Sequence, residues 1–518
     1  MIKVVKNRLV LLLILLVFVV FKVPHLHYPF YWDESWSYAP AVKLMYLHGP
    51  SLMPNAIDTF YSRGHPLLFY AAAATWMRIF GDSLIAEHSF SLFISCLLII
   101  SVFEVCYKIF NKRVAIISIL TLSVQVMFFV QASFVLPEIM VALLILLTLY
   151  FYSSEKYFYT FLSCSALMLT KESGIVLGFV LGTHAFFYLF NKKQSLKDRL
   201  SNFASIFFSG VVIFVFFLVQ KKINGWYLFP EHVGMIQWNW TTFWEKFKYS
   251  ISALFNNDFR FRFFQLLLLI SFIVAVKDKK IKYAIAFLPG LFIYAIIKGG
   301  LQWLSLQILF VLLLLSLLFS CYQLTRLDYN TNVSKKKFIY LSVFFLIAYL
   351  CFSCVNFFSP RYLMSALVIL IVLSAYYFDL LIDKLNDWVY YFSLLLILII
   401  GIFGFKHDSG LGDINLGAYD GMIVQQRIVD YLEKNNFYDK VIVTRSFQDR
   451  EHLEKPYTGF LHNKVFKNVN WAITSPTDIL IFSNIEPDPV YKYIKNDTTY
   501  HLLYRTQKGQ VWGEIYGK

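Results

Sequence analysis

The residues able to do chemistry in this chain sit at the ends of apolar runs. Asp33 and Glu34 follow the first run in "FYWDESWSYAP", and Arg63 and His65 lie in "YSRGHP". Glu138 opens a run in "VLPE", Lys171 and Glu172 form the turn "LTKESG", and Arg361 opens a run in "SPRYL". Charge beside hydrocarbon is costly and usually faces a cavity or a partner. A carboxylate in such a place can take a proton from an attacking hydroxyl or amine, an effect worth about 10²- to 10⁴-fold when well placed. Cations beside it offset charge on a departing phosphate, a guanidinium through paired donors. A transfer of this type needs one base and no covalent intermediate.

Each residue also has a plain structural reading. Asp33 and Glu34 would suit the first turn of an interfacial helix, and Glu138 after Pro137 would suit a helix start. Lys171 with Glu172 would serve as an interfacial ion pair, Arg361 would snorkel to headgroups, and His65 before Pro66 would cap a helix. What favours chemistry is convergence, because all of them fall on one side of the membrane once the spans are laid out.

The composition requires that membrane. The chain is 58% hydrophobic and 15% charged over 518 residues, with net charge +15, and its mean hydropathy is +0.59. An ordinary soluble domain is excluded. Much of the Lys and Arg excess lies in short segments between apolar runs, as in loops facing anionic lipid, so nucleic acid is the weaker explanation of the charge. The six cysteines (Cys96, Cys106, Cys164, Cys321, Cys351, Cys354) fall in or beside apolar runs without metal-ligand spacing and read as packing residues.

At about 20 apolar residues per crossing, about thirteen spans are expected. Lys3, Lys6 and Arg8 precede the run from Leu9 to Val23, and no small-residue cleavage site follows, so this run is read as an uncleaved first helix with a cytoplasmic N-terminus. The later spans are expected at roughly 84–107, 114–131, 137–153, 157–170, 174–190, 202–220, 262–276, 283–298, 301–320, 338–355, 361–381 and 388–405. Charged segments at Lys112 and Arg113, at Lys192 to Arg199, at Lys277 to Lys282 and at Lys335 to Lys337 then alternate onto the cytoplasmic side; the Lys221 and Lys222 pair is the exception. The first outer loop, roughly 24–83, carries the amphipathic stretch "HPLLFYAAAATWMRIFG", expected to lie at the interface. A second outer loop, roughly 221–260, contains "GWYLFPEHVG" and several Trp. From about residue 406 the strand-like "KVIVT" and "DILIFS" alternate with the helical "GMIVQQRIVDYLEKNN", which predicts a small α/β domain over 406–518 outside the cytoplasm.

At these residues the sequence resembles the polytopic GT-C glycosyltransferases, in particular the bacterial branch related to protein O-mannosyltransferases and lipid A aminoarabinose transferase. The resemblance covers about residues 5 to 405 and rests on "WDESWSY", "RGHPLLFYAAAATWMRIFG", "LTKESG" and "PRYL" in that order. It implies a GT-C-like membrane catalytic domain over 1–405, a polyprenyl-phosphate sugar donor whose tail lies between helices, and an extracytoplasmic glycan, lipid or protein acceptor in a bacterial cell envelope. Asp33 then looks like the general base or acceptor-orienting carboxylate, with Glu34 beside it, and Glu138 is similar to a second acid that helps build the site. His65 occupies the place of a residue near the donor phosphate, and Arg63, Arg361 and Lys171 add positive charge there. Leu67 departs from the family, which commonly has a second proline at that place. No metal ligand set is implied, although adjacent carboxylates such as Asp33 and Glu34 leave room for Mg²⁺ or Mn²⁺. Two other classes fit the composition: a transporter or flippase of polyprenyl-linked glycans, which predicts internal symmetry and midplane charges, and a non-catalytic membrane scaffold.

Overall fold

A computed structural model describes residues 2–260, 262–263, 333–383, 387–473 and 477–518. The span expected at 262–276, apart from its first two residues, those at 283–298 and 301–320, the basic segment at Lys277 to Lys282 and Cys321 lie outside the described residues. The chain is a polytopic helical membrane protein with a small sheet domain at its C-terminal end. Among the described residues six helices are long and apolar enough to cross a bilayer: Arg8–His27, Leu84–Ile109, Leu196–Asn224, Val333–Val355, Pro360–Ile382 and Asp387–His407.

In chain order, α1 (Ile2–Lys22) runs on into a 3₁₀ turn and exposes Leu12, Leu13 and Leu16, as a lipid-facing helix does. The loop after it holds α2 (Ala39–His48) and the amphipathic α3 (Leu68–Phe80), which buries Phe69, Tyr70, Ala73, Ala74 and Met77 and leaves Ile79 and Phe80 exposed. Thirteen residues reach only about 20 Å at 1.5 Å per residue, too short to span. The bundle continues with α4 (Leu84–Ile109), capped by Ser83, and α5 (Lys112–Ser123). The continuous span expected at 114–131 is broken after α5: Gln125 is extended, its amide returns to the Thr121 carbonyl at 2.8 Å, and its side-chain oxygen accepts from Arg260 at 3.1 Å.

Next come α6 (Glu138–Ser153), α7 (Tyr157–Thr170), α8 (Ile175–Tyr188), α9 (Leu196–Asn224) and α10 (Trp240–Phe255), and after the undescribed stretch α11 (Val333–Val355), α12 (Met364–Ile382) and α13 (Asp387–His407). Both ends of this bundle carry ion pairs. Arg113 meets Asp387 at 2.7 Å, and Lys337 meets Glu155 at 3.7 Å, just beyond the C-terminal end of α6. The N-terminal end of α6, about 24 Å away by helical rise, carries Glu138. Cys106, Cys164 and Cys354 are buried and Cys96 and Cys351 half-buried, all with free thiols.

Beyond α13, α14 (Gly417–Lys434) and α15 (Phe447–Glu454) pack on a five-stranded sheet of order β2-β1-β3-β5-β4. Its strands are β1 (Ile442–Thr444), β2 (Val469–Asn470), β3 (Ile479–Ser483), β4 (His501–Lys508) and β5 (Val511–Gly517). β1 is parallel to β2 and β3, while β5 runs antiparallel to β3 and β4. The amphipathic α14 buries Met422, Val424, Ile428, Val429 and Leu432 and packs on β4 and β5, while the strand-like stretches "KVIVT" and "DILIFS" supply β1 and β3.

Candidate functional site

Three chain segments far apart in sequence deliver the central charges. Asp33 precedes the single π-helical turn Glu34–Tyr38, and Glu138 is the first residue of α6. Arg361 sits in the 3₁₀ turn Pro360–Leu363 that leads into α12. One edge of the Arg361 guanidinium (Nη2) donates to Asp33 Oδ2, and its Nη1 donates to Asp413 Oδ2. Its Nε lies 3.5 Å from Glu138 Oε1. Lys171 closes the group, donating from Nζ to the same Glu138 oxygen at 2.8 Å, with its ammonium 4.2 Å from the ring centre of Tyr362.

Local structure explains why Lys171 reaches in. It is extended between α7 and the turn Glu172–Gly174, and a Cβ on Gly174 would come within 2.7 Å of Leu167 Cγ and 2.9 Å of its carbonyl oxygen. Only glycine allows that close return of the chain. Glu138 and Lys171 border a cavity of about 700 Å³ including its open mouth, together with Tyr362, Glu172, His65 and His232. Glu138 Oε2 is buried without a hydrogen-bond partner. Burial opposes ionisation of Asp33, but the adjacent Arg361 outweighs it and holds the carboxyl below the usual aspartate range. Burial likewise opposes the Lys171 charge, and Glu138 overcomes it and holds the ammonium above the usual lysine range.

The neighbouring acids diverge. Asp33 Oδ1 accepts from Trp36 Nε1 at 3.0 Å, whereas the fully buried Glu34 accepts from the Val135 N–H at 2.6 Å and the Tyr31 N–H at 3.1 Å and lies 3.0 Å from His88 Nε2. Consecutive residues on a helical turn face different ways, so the two carboxylates do not converge on a shared ion. Glu34 ties the first outer loop to the start of α4 and to the segment before α6.

His65 lines the cavity and Arg63 lies outside its lining, and neither pairs with Arg361. The Arg63 guanidinium pairs with Glu231 and sits over the rings of Trp36 and Phe229, at 5.3 and 5.2 Å. Next to it Gly64 has φ +70°, and a Cβ there would approach the Trp226 ring to 2.8 Å, so the loop after α1 and the segment after α9 are clasped at this point. His65 Nδ1 is 2.8 Å from Glu172 Oε2, and its ring is 5.0 Å from that of His232. Burial brings His232 down to about 4, and against burial the His65 partner brings Glu172 down to about 2.

His65, Glu172 and His232 each offer a ligand atom, all within 4.8 Å of one another. Two imidazoles and one carboxylate are a donor set for zinc or another imidazole-preferring divalent ion rather than for Mg²⁺. Thus any cation at this site would be held in the cavity wall, not between Asp33 and Glu34. Sequence reasoning missed Asp413, Tyr362 and His232. His232 is visible in "GWYLFPEHVG", but Asp413 lies in a Gly-rich connector whose composition gives no sign of its partner.

Residues 64–221 match the family model described as dolichyl-phosphate-mannose-protein mannosyltransferase. The crystal structure of ArnT from Cupriavidus metallidurans in the apo state is similar at 13% identity and TM-score 0.49, over 99% of this chain and 97% of that chain. The structure of the same protein bound to undecaprenyl phosphate is similar at 12% identity and TM-score 0.50, over 98% of this chain and 97% of that chain. No curated protein matches in sequence. The family model covers less than half of the chain, and the likeness to ArnT, at 12% identity, is a likeness of fold.

Proposed function

We propose that this protein is an integral-membrane glycosyltransferase that moves a sugar from a polyprenyl-phosphate donor to an acceptor on the extracytoplasmic side of a bacterial inner membrane. The observation that carries the reading is the gathering of the part-exposed Asp33 with the buried Glu138, Lys171 and Arg361 into one cluster beside an open cavity. Support for the donor class comes from the fold relative that was crystallised with undecaprenyl phosphate.

In this reading the acceptor's hydroxyl or amine attacks the anomeric carbon as the bond from that carbon to the phosphate oxygen breaks. The proton passes to Asp33, and the electron pair leaves with the polyprenyl phosphate. Lys171, which borders the cavity, meets the phosphate charge. Arg361 keeps Asp33 ionised and aimed, and Glu138 holds both cations in place. A single displacement of this kind inverts the anomeric centre. His65 and Arg63, in the clasped loops, act on access and donor seating instead of on the transferred proton.

The test uses membranes charged with radiolabelled polyprenyl-phosphate sugars extracted from a bacterial envelope. Wild-type protein should move label to a non-lipid or second-lipid product, and Asp33→Asn should lose most of that transfer. Label that crosses the membrane without a new covalent product would instead establish a flippase.

A further inference from the structure

The connector between α13 and α14 enters the charge cluster from the sheet-domain side. We propose that Asp413 in this connector is a positioning residue of the site, holding one edge of the Arg361 guanidinium so that the other edge faces Asp33. This rests on the glycosyltransferase reading for its functional consequence, and on geometry alone for the holding itself.

Three observations carry it. First, the two aspartates occupy the two terminal nitrogens of one planar group: Nη1 for Asp413, Nη2 for Asp33. A guanidinium donates in its own plane, so fixing one nitrogen fixes the direction of the other. Second, the connector is itself held. Gln131 Nε2 donates to the Asp413 carbonyl at 2.6 Å, the Tyr31 hydroxyl donates to the Leu411 carbonyl at 2.8 Å, and Asp408 accepts from Asn415 Nδ2 at 2.7 Å and from the Leu416 N–H at 2.5 Å. Asp413 is therefore presented by a braced loop and not by a mobile one. Third, Arg361 Nε has no hydrogen-bond partner, because Glu138 stands off at 3.5 Å. Without Asp413 the group would keep one strong anchor, Asp33, and could rotate about it.

An arginine anchored at one nitrogen still neutralises Asp33 but no longer fixes its direction. The loss should appear in turnover rather than in donor affinity, since the cavity-lining cation Lys171 is untouched. The sheet domain thereby becomes part of the active centre, through a residue 52 positions beyond Arg361.

Two measurements on the full-length protein in lipid nanodiscs test this. The first is substrate-independent: phenylglyoxal labels arginine, and peptide mass spectrometry reads the rate at Arg361. Asp413→Asn should speed labelling of Arg361 at least threefold while Arg113, paired with Asp387 at the other end of the bundle, keeps its rate. Equal Arg361 rates in wild type and variant would overturn the holding. The second is the lipid-linked sugar transfer assay, with a double-mutant cycle. Asp413→Asn should lower kcat at least tenfold with KM for the donor within twofold, and Arg361→Gln with Asp413→Asn should be no worse than Arg361→Gln alone. Wild-type kcat in Asp413→Asn, or losses that multiply in the double variant, would overturn the proposal. Should Asp413→Asn fail to fold, Asp413→Glu takes its place in both measurements with the same criteria. A wild-type protein with no transfer at all would remove the glycosyltransferase reading and leave the labelling result to decide the Arg361–Asp413 contact.

Discussion

Lys171 Nζ donates to Glu138 Oε1 at 2.8 Å, across the gap between the end of α7 and the start of α6, with both side chains nearly sealed from solvent at 9% and 4% exposure. A buried ion pair adds little stability compared with apolar packing, but breaking one leaves an uncompensated charge. The pair's value is therefore in what it positions.

Lys171→Met should destabilise the protein by about 3 kcal/mol, the lower end for breaking a buried pair, because Arg361 still stands 3.5 Å from Glu138. Thermal unfolding of the purified protein in detergent checks this. Pairing the change with Glu138→Gln should recover part of the loss, since no bare carboxylate then remains.

Asp33→Asn and Glu34→Gln should separate cleanly. The first removes the base and should cut turnover by about 10²- to 10⁴-fold, far out of proportion to the fall in melting temperature from its lost pairing with the buried Arg361. The second weakens a fully buried acceptor of two backbone N–H groups. It should lower the melting temperature and expression more than the rate per folded molecule. Transfer assays normalised to folded protein distinguish the two.

The pH dependence has a definite sign. Arg361 holds Asp33 below its ordinary value of 3.8 in spite of burial. An aspartate with a depressed value stays ionised, and contributes its stability, above the ordinary value; both are lost as pH falls through the lower folded value. The acidic limb of kcat/KM should therefore lie below the usual carboxylate range. Arg361→Gln should move that limb upward, measured across acid-stable membranes.

In the cavity wall, His65, Glu172 and His232 offer donor atoms that could hold one divalent ion. Elemental analysis of protein purified without chelator should show up to one equivalent of zinc. The content should fall in His232→Ala and in Glu172→Gln, whereas Asp33→Asn and Glu34→Gln should leave it unchanged.

Much of the architecture is legible locally. Apolar runs set the helices at Leu84–Ile109, Val333–Val355 and Asp387–His407 because crossing hydrocarbon demands continuous apolar length. Strand-like apolar stretches marked Ile442–Thr444 and Ile479–Ser483, and a helical pattern marked Gly417–Lys434. The break after Ser123 was not legible, since it depends on Gln125 finding both Thr121 and Arg260. Pattern reading sees apolar continuity there and cannot see a side chain that competes for the helix's own hydrogen bonds.

By itself the sequence determined that this is a membrane protein, which residues carry rare charge, and that a small α/β domain follows the last helix, since each depends on composition or short-range periodicity. Only the tertiary structure decided that Asp33 and Glu34 part company, that Arg63 turns to Glu231, and that Asp413 joins Arg361. Those outcomes follow from the direction of each side chain and from contacts between distant segments. A charged group near hydrocarbon must find a partner, but its place in the chain does not say which one.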